Sequence, residues 1–241
     1  MDLKRIGESI NDFKFSEIIP SMEHQKLEMR PYTVKDQFRI AQAQMTEDYA
    51  IIMKTLFDLV VEKCNLKPEI ANKITLVDVQ YLLKKLKMIS DDESIKIKVT
   101  CPHCDFINEG IKIDLNAVEI VNFENFERDI QVSDNVMIRL RVPSFKKNED
   151  IILGKETDLN ISMISALMNY IEAIIEGDEI KTDFDQEELK NFVMSLSKKF
   201  LIQFNEFVKE EPTIKLKEVI SCSSCNEDLE IGINHFFFSL V

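Results

Sequence analysis

From Thr33 onward, apolar residues recur at helical spacing. Thr33 with Asp36 makes a capping-box-like start, and Val34, Phe38 and Ala41 follow at i, i+4 and i+7, which predicts a first amphipathic helix with these three on its apolar face. A second helix is expected from about Glu47 to Lys63, because Ile52, Leu56, Leu59 and Val60 share one face. Cys64 at its end reads as a small core residue. Thr75 with Asp78 repeats the capping pattern, and Val79, Leu82, Leu83 and Leu86 define a third helix through about Ile89. Residues 32–90 therefore read as a three-helix unit. Ahead of it, residues 1–31 carry scattered apolar positions such as Ile6, Ile10, Phe13 and Ile18, and read as an irregular N-terminal arm.

The period then changes from 3.6 to 2. Ile95, Ile97 and Val99 alternate with lysines, Ile111 and Ile113 flank Lys112, and Val136 to Val142 forms a longer alternating run stopped by Pro143. Helical spacing returns at Ile164, Leu167, Met168, Ile171 and Ile175, closed by Gly177, and again from Leu189 through Phe207, closed before Pro212. Alternation resumes at Ile214 to Lys217 and at Leu229 to Ile233, ahead of an aromatic tail. The expected fold is α+β: an N-terminal helical unit, then a small antiparallel zinc-ribbon-like sheet split by an inserted pair of long helices. The β region spans about 91–143 and 212–241, with the helical insertion at about 155–211.

The chemistry is concentrated in the cysteines. Cys101-Pro102-His103-Cys104 follows one alternating strand and precedes another, and Cys222-Ser223-Ser224-Cys225 repeats the arrangement near the other end of the chain. A C-x2-C turn between strands aims two thiolates at one point, and two such turns complete a tetrahedral S4 shell suited to structural zinc. The long interval is no obstacle: closing such a loop costs about 4 kcal/mol plus a constant. Structural zinc contributes roughly 10–16 kcal/mol. Buried free thiols and redox-active pairs are the competing readings, although neither pair follows a strand and opens a helix. His103 and His235 are candidate substitute ligands, and each also reads as an ordinary loop histidine.

Composition narrows the function. With 43 acidic against 30 basic residues, the formal charge of −13 disfavours a surface that grips phosphate backbones, so the expected partners are proteins and no nucleic acid. Met1 to Ile10 lacks the unbroken apolar core of a secretion signal, and no run approaches a membrane span. The chain contains no phosphate-binding loop, nucleophile elbow or H-E-x-x-H helix, and its three histidines lie at 24, 103 and 235, so no enzyme is expected.

Two surfaces stand out as partner sites. Between Glu172 and Glu188 eight acids face a single Lys181, and its centre at Glu176, Asp178 and Glu179 reads either as a solvated turn or as a dock for a basic surface. Phe236, Phe237 and Phe238 are consecutive, so in a strand they cannot all face one core and at least one should face outward; they read either as core packing by one or two of the rings or as a hydrophobic contact with a partner.

Taken in order, these segments resemble the baseplate hub assembly proteins of T4-type contractile-tailed phages, also called baseplate hub subunits or hub assembly chaperones. The resemblance spans roughly residues 29–238. It rests on Met29-Arg30-Pro31-Tyr32-Thr33-Val34-Lys35, on Leu76 to Leu83 leading through Lys96, Val99 and Thr100 to Cys101, and on Ile113-Asp114-Leu115. It continues through Ile174, Glu176, Asp178 and Glu179, then Glu188 to Leu196, Phe204, the Cys222/Cys225 pair and Phe236-Phe237. The resemblance implies a late, non-enzymatic hub assembly factor or hub subunit that binds phage baseplate hub proteins, located in the host cell cytoplasm during assembly or in the virion tail baseplate, and possessing three N-terminal helices joined to a split zinc-binding sheet. The alternative is a zinc-ribbon regulator acting on nucleic acid or RNA polymerase. For direct nucleic-acid contact, Lys96, Lys98, Lys215 and Lys217 are the available cations, and Asp105, Glu109, Glu218, Glu227 and Asp228 lie among them.

Overall fold

The computed structural model describes residues 12–22, 25–154, 159–229 and 231. The chain divides into two compact units, one of Met1–Ala71, Val77–Val121 and Ile214–Val241, the other of Asn72–Leu76 and Asn122–Thr213.

In the first unit the described part of the segment expected to be an irregular arm, from residue 12 on, forms a hairpin, and residues 1–11 lie outside the described residues. Strands β1 (Phe15–Ile18) and β2 (Lys26–Met29) pair antiparallel, Phe15 opposite Met29. The hairpin is anchored because Ile19, Leu27 and Met29 are buried, and because the Ser21 N–H and hydroxyl both donate to Asp78 at 2.9 and 2.6 Å. These long-range contacts replace the local periodicity that a short, scattered sequence lacks.

Helices α1 (Val34–Met45), α2 (Tyr49–Lys63), the single turn α3 (Pro68–Ala71) and α4 (Leu76–Ser90) follow. Thr33 and Asp36 form a reciprocal capping box, as the spacing predicts. The expected inner faces of α2 and α4 are buried, but that of α1 is not: Val34, Phe38 and Ala41 are exposed, while Asp36, Ile40 and Ala43 are buried. The cause is an ion pair between elements. Lys63 Nζ lies 2.5 Å from Asp36 Oδ2, with both side chains nearly inaccessible, so α1 turns its capping carboxylate towards α2. A buried charge unpaired would cost several kcal/mol, more than exposing one apolar side chain.

Strands β3 (Ser94–Thr100) and β4 (Ile107–Asp114) pair antiparallel and bury Ile95, Ile97, Val99 and Ile113. The register shifts between Ile97 and Val99, opposite Gly110 at φ 69°, the left-handed conformation a bulge needs. The extra residue reverses the side-chain parity of β4, so Asn108 turns inward at 5% exposure. A 3₁₀ turn (Leu115–Ala117) leads to β5 (Val118–Val121), which pairs with the last strand among the described residues, Thr213–Leu216.

The second unit is built on a four-stranded sheet, β6 (Glu127–Gln131), β7 (Val136–Arg141), β8 (Ile171–Glu176) and β9 (Glu179–Lys181), hydrogen-bonded in that order. A short helix α5 (Glu149–Ile152) and α6 (Leu159–Tyr170) connect β7 to β8, and α7 (Gln186–Ser195) and α8 (Lys198–Lys209) follow β9. Two expectations are corrected here. The helix expected through Ile175 stops at Tyr170, because Ile171, Ala173 and Ile174 complete pairs with β7, Ile138 facing Ile174. The single helix expected from Leu189 to Phe207 is two, since Ser197 leaves the helical conformation and accepts the Phe200 N–H as the N-cap of α8. The inserted segment is thus itself α+β. Its core joins the sheet to α6, α7 and α8, with Tyr170 edge-on to Phe204 and Phe207 at 5.3 and 6.1 Å. The strand Thr213–Leu216, here β10, returns the chain to the first unit, where the Lys217 N–H donates to the Ala117 carbonyl at 2.9 Å.

Candidate metal centre

Two turns carry the cysteines, and they are built alike. At the first, the Cys101 N–H donates to the Phe106 carbonyl at 2.9 Å and the Asp105 N–H to the Cys101 carbonyl at 3.0 Å. At the second, the Cys222 N–H donates to Glu227 at 2.8 Å and the Asn226 N–H to Cys222 at 3.0 Å, the same offsets in the same order. In both, the residue after the second cysteine is left-handed, Asp105 at φ 57° and Asn226 at φ 63°. Asp and Asn are the side chains that tolerate this conformation best after glycine. A pair flanks each turn, Thr100 opposite Ile107 and Ser221 opposite Asp228, holding the ends together so that both thiols of each motif point the same way.

The turns face each other within the first unit. All four Sγ atoms lie within 4.8 Å of one another, with Cys101–Cys225 at 3.6 Å and Cys104–Cys222 at 3.7 Å. A tetrahedron with Zn–S bonds of about 2.3 Å has edges of about 3.8 Å. These separations fit that shell and exclude disulfides, whose sulfurs sit about 2.05 Å apart. Cys101 and Cys222 are buried, Cys225 is half-buried and Cys104 is exposed, so the cluster lies at the surface with one side closed. His103 is exposed and outside this group of donors; His235 lies outside the described residues.

Asn108 ties the two turns together. Its carbonyl oxygen accepts the N–H and hydroxyl of Ser223, both at 2.9 Å, while its amide donates to the Phe106 carbonyl at 3.3 Å and approaches Cys222 Sγ at 3.5 Å. Sequence reading missed this residue, because its inward orientation depends on the bulge at Gly110. The signal available was an uncharged amide four positions beyond Cys104, near the start of a strand and two residues before Gly110.

The thiols are unequal. Burial opposes ionisation of Cys222, but the N–H groups of Cys225 and Ser224 and the Asn108 amide point at its sulfur and bring it down to about 6. At Cys225 the Glu227 N–H favours the thiolate, yet burial and the three neighbouring sulfurs outweigh it and push the thiol up to about 12. Four thiolates at this spacing repel one another unless a cation sits among them. The donor set, soft and four-coordinate, fits Zn²⁺.

The family model described as T4 bacteriophage base plate protein matches residues 11–238, nearly the whole chain. The chain belongs to that family. No curated protein and no solved structure matches it.

In this base plate protein the remaining sites expected to bind partners fall apart from the cysteines. Glu176, Asp178 and Glu179 are exposed in the second unit, at the turn joining β8 to β9, where Gly177 at φ 58° and Asp178 make a two-residue hairpin loop. The acidic turn expected between helices is therefore a hairpin tip. Phe236, Phe237 and Phe238 lie outside the described residues. Among the described residues no helix is long and apolar enough to cross a membrane.

Proposed function

We propose that this base plate protein is a non-enzymatic assembly factor of the tail hub, binding other hub proteins, with one structural zinc ion held by Cys101, Cys104, Cys222 and Cys225. The match to the base plate family over nearly the entire chain carries the reading. The order of sequence segments that resembles hub assembly proteins narrows it to the hub. An all-cysteine shell leaves no coordination position for a water or substrate, which supports a structural and not a catalytic ion. The zinc, when bound, supplies folding energy and fixed geometry. Synthesis as a late protein in the host cytoplasm, followed by docking on the growing baseplate, accords with this role.

The surface around the turns supports protein partners over nucleic acid. Lys98 is paired with Glu109 at 2.8 Å and Lys217 with Glu119 at 2.6 Å, so two of the four lysines nearest the motifs are already neutralised. Affinity purification of the tagged chain from infected cells tests the function: hub proteins should co-purify in excess of everything else. Recovery of RNA polymerase or nucleic acid without hub proteins would replace this reading with that of a zinc-ribbon regulator.

A further inference from the structure

The outer face of α1 carries an apolar seam. Val34, Phe38 and Met45 are 69%, 66% and 83% exposed, and Ala41 between them is exposed as well. Their spacing of four, three and four residues is the repeat by which two helices interlock. The opposite face is already occupied, by Ile40, Ala43 and the Asp36–Lys63 pair. α1 is thus a helix with one seam satisfied inside its own unit and a second left in solvent.

We propose that the occupant of this seam is the α1 helix of a second copy of the chain, running antiparallel. A two-fold interface must complement itself. When α1 is placed antiparallel to itself about the midpoint between Phe38 and Ala41, each Phe38 falls opposite Ala41 and each Val34 opposite Met45. Every layer then joins a larger side chain to a smaller one. A parallel arrangement sets Phe38 on Phe38 and Ala41 on Ala41, a clash beside a hole, so the order of sizes selects the antiparallel one.

Charge agrees. Two copies of a chain with net charge −13 repel over most of their surface, but the seam is free of exposed acid. Asp36 is the single acidic residue from Val34 to Met45, and it is buried against Lys63. Arg39 is engaged with Asp58 and Glu62, each at 3.6 Å. The positions flanking the seam are Lys35, Gln37, Gln42 and Gln44; antiparallel pairing brings Gln37 beside Gln44 and Lys35 beside Gln42, with no like charges in contact.

Sedimentation equilibrium on the full chain tests this. The expected mass is twice 28.1 kDa at high concentration, falling to 28.1 kDa on dilution. Phe38→Ala leaves an Ala–Ala layer and Ala41→Phe a Phe–Phe layer, so each single change should shift the equilibrium to monomer. Both positions are exposed, and unchanged far-ultraviolet circular dichroism will show that each variant folds. The double variant exchanges the two residues, restores a Phe–Ala layer and should restore the dimer. A parent monomeric at every concentration overturns the proposal and points to a helix of another protein as the occupant. A dimer that survives both single changes, or a double variant that fails to recover it, also overturns it.

Discussion

Asn108 is the residue on which the cysteine turns depend without itself being a ligand. It fixes the Ser223 backbone and approaches Cys222 Sγ, so its loss should let the second turn rotate relative to the first. Outer-shell changes typically cost 10–100-fold in metal affinity. Asn108→Ala should accordingly weaken zinc binding by about tenfold or more in a chelator competition assay. An affinity equal to the parent's would show that the turns hold their geometry alone. Glu211 illustrates the opposite use of burial. Its carboxyl is pushed above the ordinary range by burial, only partly offset by the Tyr170 hydroxyl donating to it at 2.8 Å. A carboxyl with a raised folded-state pKa contributes stability that is full below its unfolded value, about 4.3, and lost as pH rises through the folded value. Glu211→Gln keeps an acceptor for Tyr170 and removes that loss. The variant should melt at a higher temperature than the parent at neutral pH, the gap closing as pH falls towards about 4. A lower melting temperature at pH 7 would contradict this account.

At the scale of elements, local patterns were legible in proportion to how local their causes are. The C-x2-C turns, the capping box at Thr33 and the inward faces of α2 and α4 follow from residues within one or two turns of each other, and the sequence pattern indicates them. The buried face of α1 does not follow, because Val34, Phe38 and Ala41 mark an apolar stripe without saying which side the rest of the protein lies on. That side is chosen by Lys63, 27 positions after Asp36. The strand β8 was hidden because Ile171 and Ile175 also satisfy a helical period; the readable contrary signal was Gly177-Asp178 between isoleucines, a hairpin loop pair. Its tip bears a prediction. If Glu176, Asp178 and Glu179 steer a basic partner, their replacement by Gln, Asn and Gln should slow association at low salt. The difference should vanish as ionic strength rises past about 0.15 M, where the Debye length is about 8 Å. Stopped-flow association with a purified hub partner measures it, and equal rates at all salt concentrations would leave the tip a solvated turn.

Across the whole molecule, the cysteines close the chain on itself. The first turn precedes the stretch Asn122–Thr213 of the second unit and the second turn follows it, so a single ion bound there would tie together segments 118 positions apart. The loop-closure cost, about 4 kcal/mol plus a constant, is several-fold smaller than the roughly 10–16 kcal/mol that structural zinc supplies. With zinc bound, that balance would let the chain hold a large insertion between the two halves of one small site. The division into halves was legible from the paired motifs. The return path was not, because the pairing of β10 with β5 joins short strands whose patterns are individually weak. The most direct test is the zinc content of purified protein, prepared without chelator, for the parent and for Cys222→Ser. One zinc per chain in the parent and a large loss in the variant is the expected result. A parent with almost no metal, or a variant with the parent's content, would contradict the four-cysteine site.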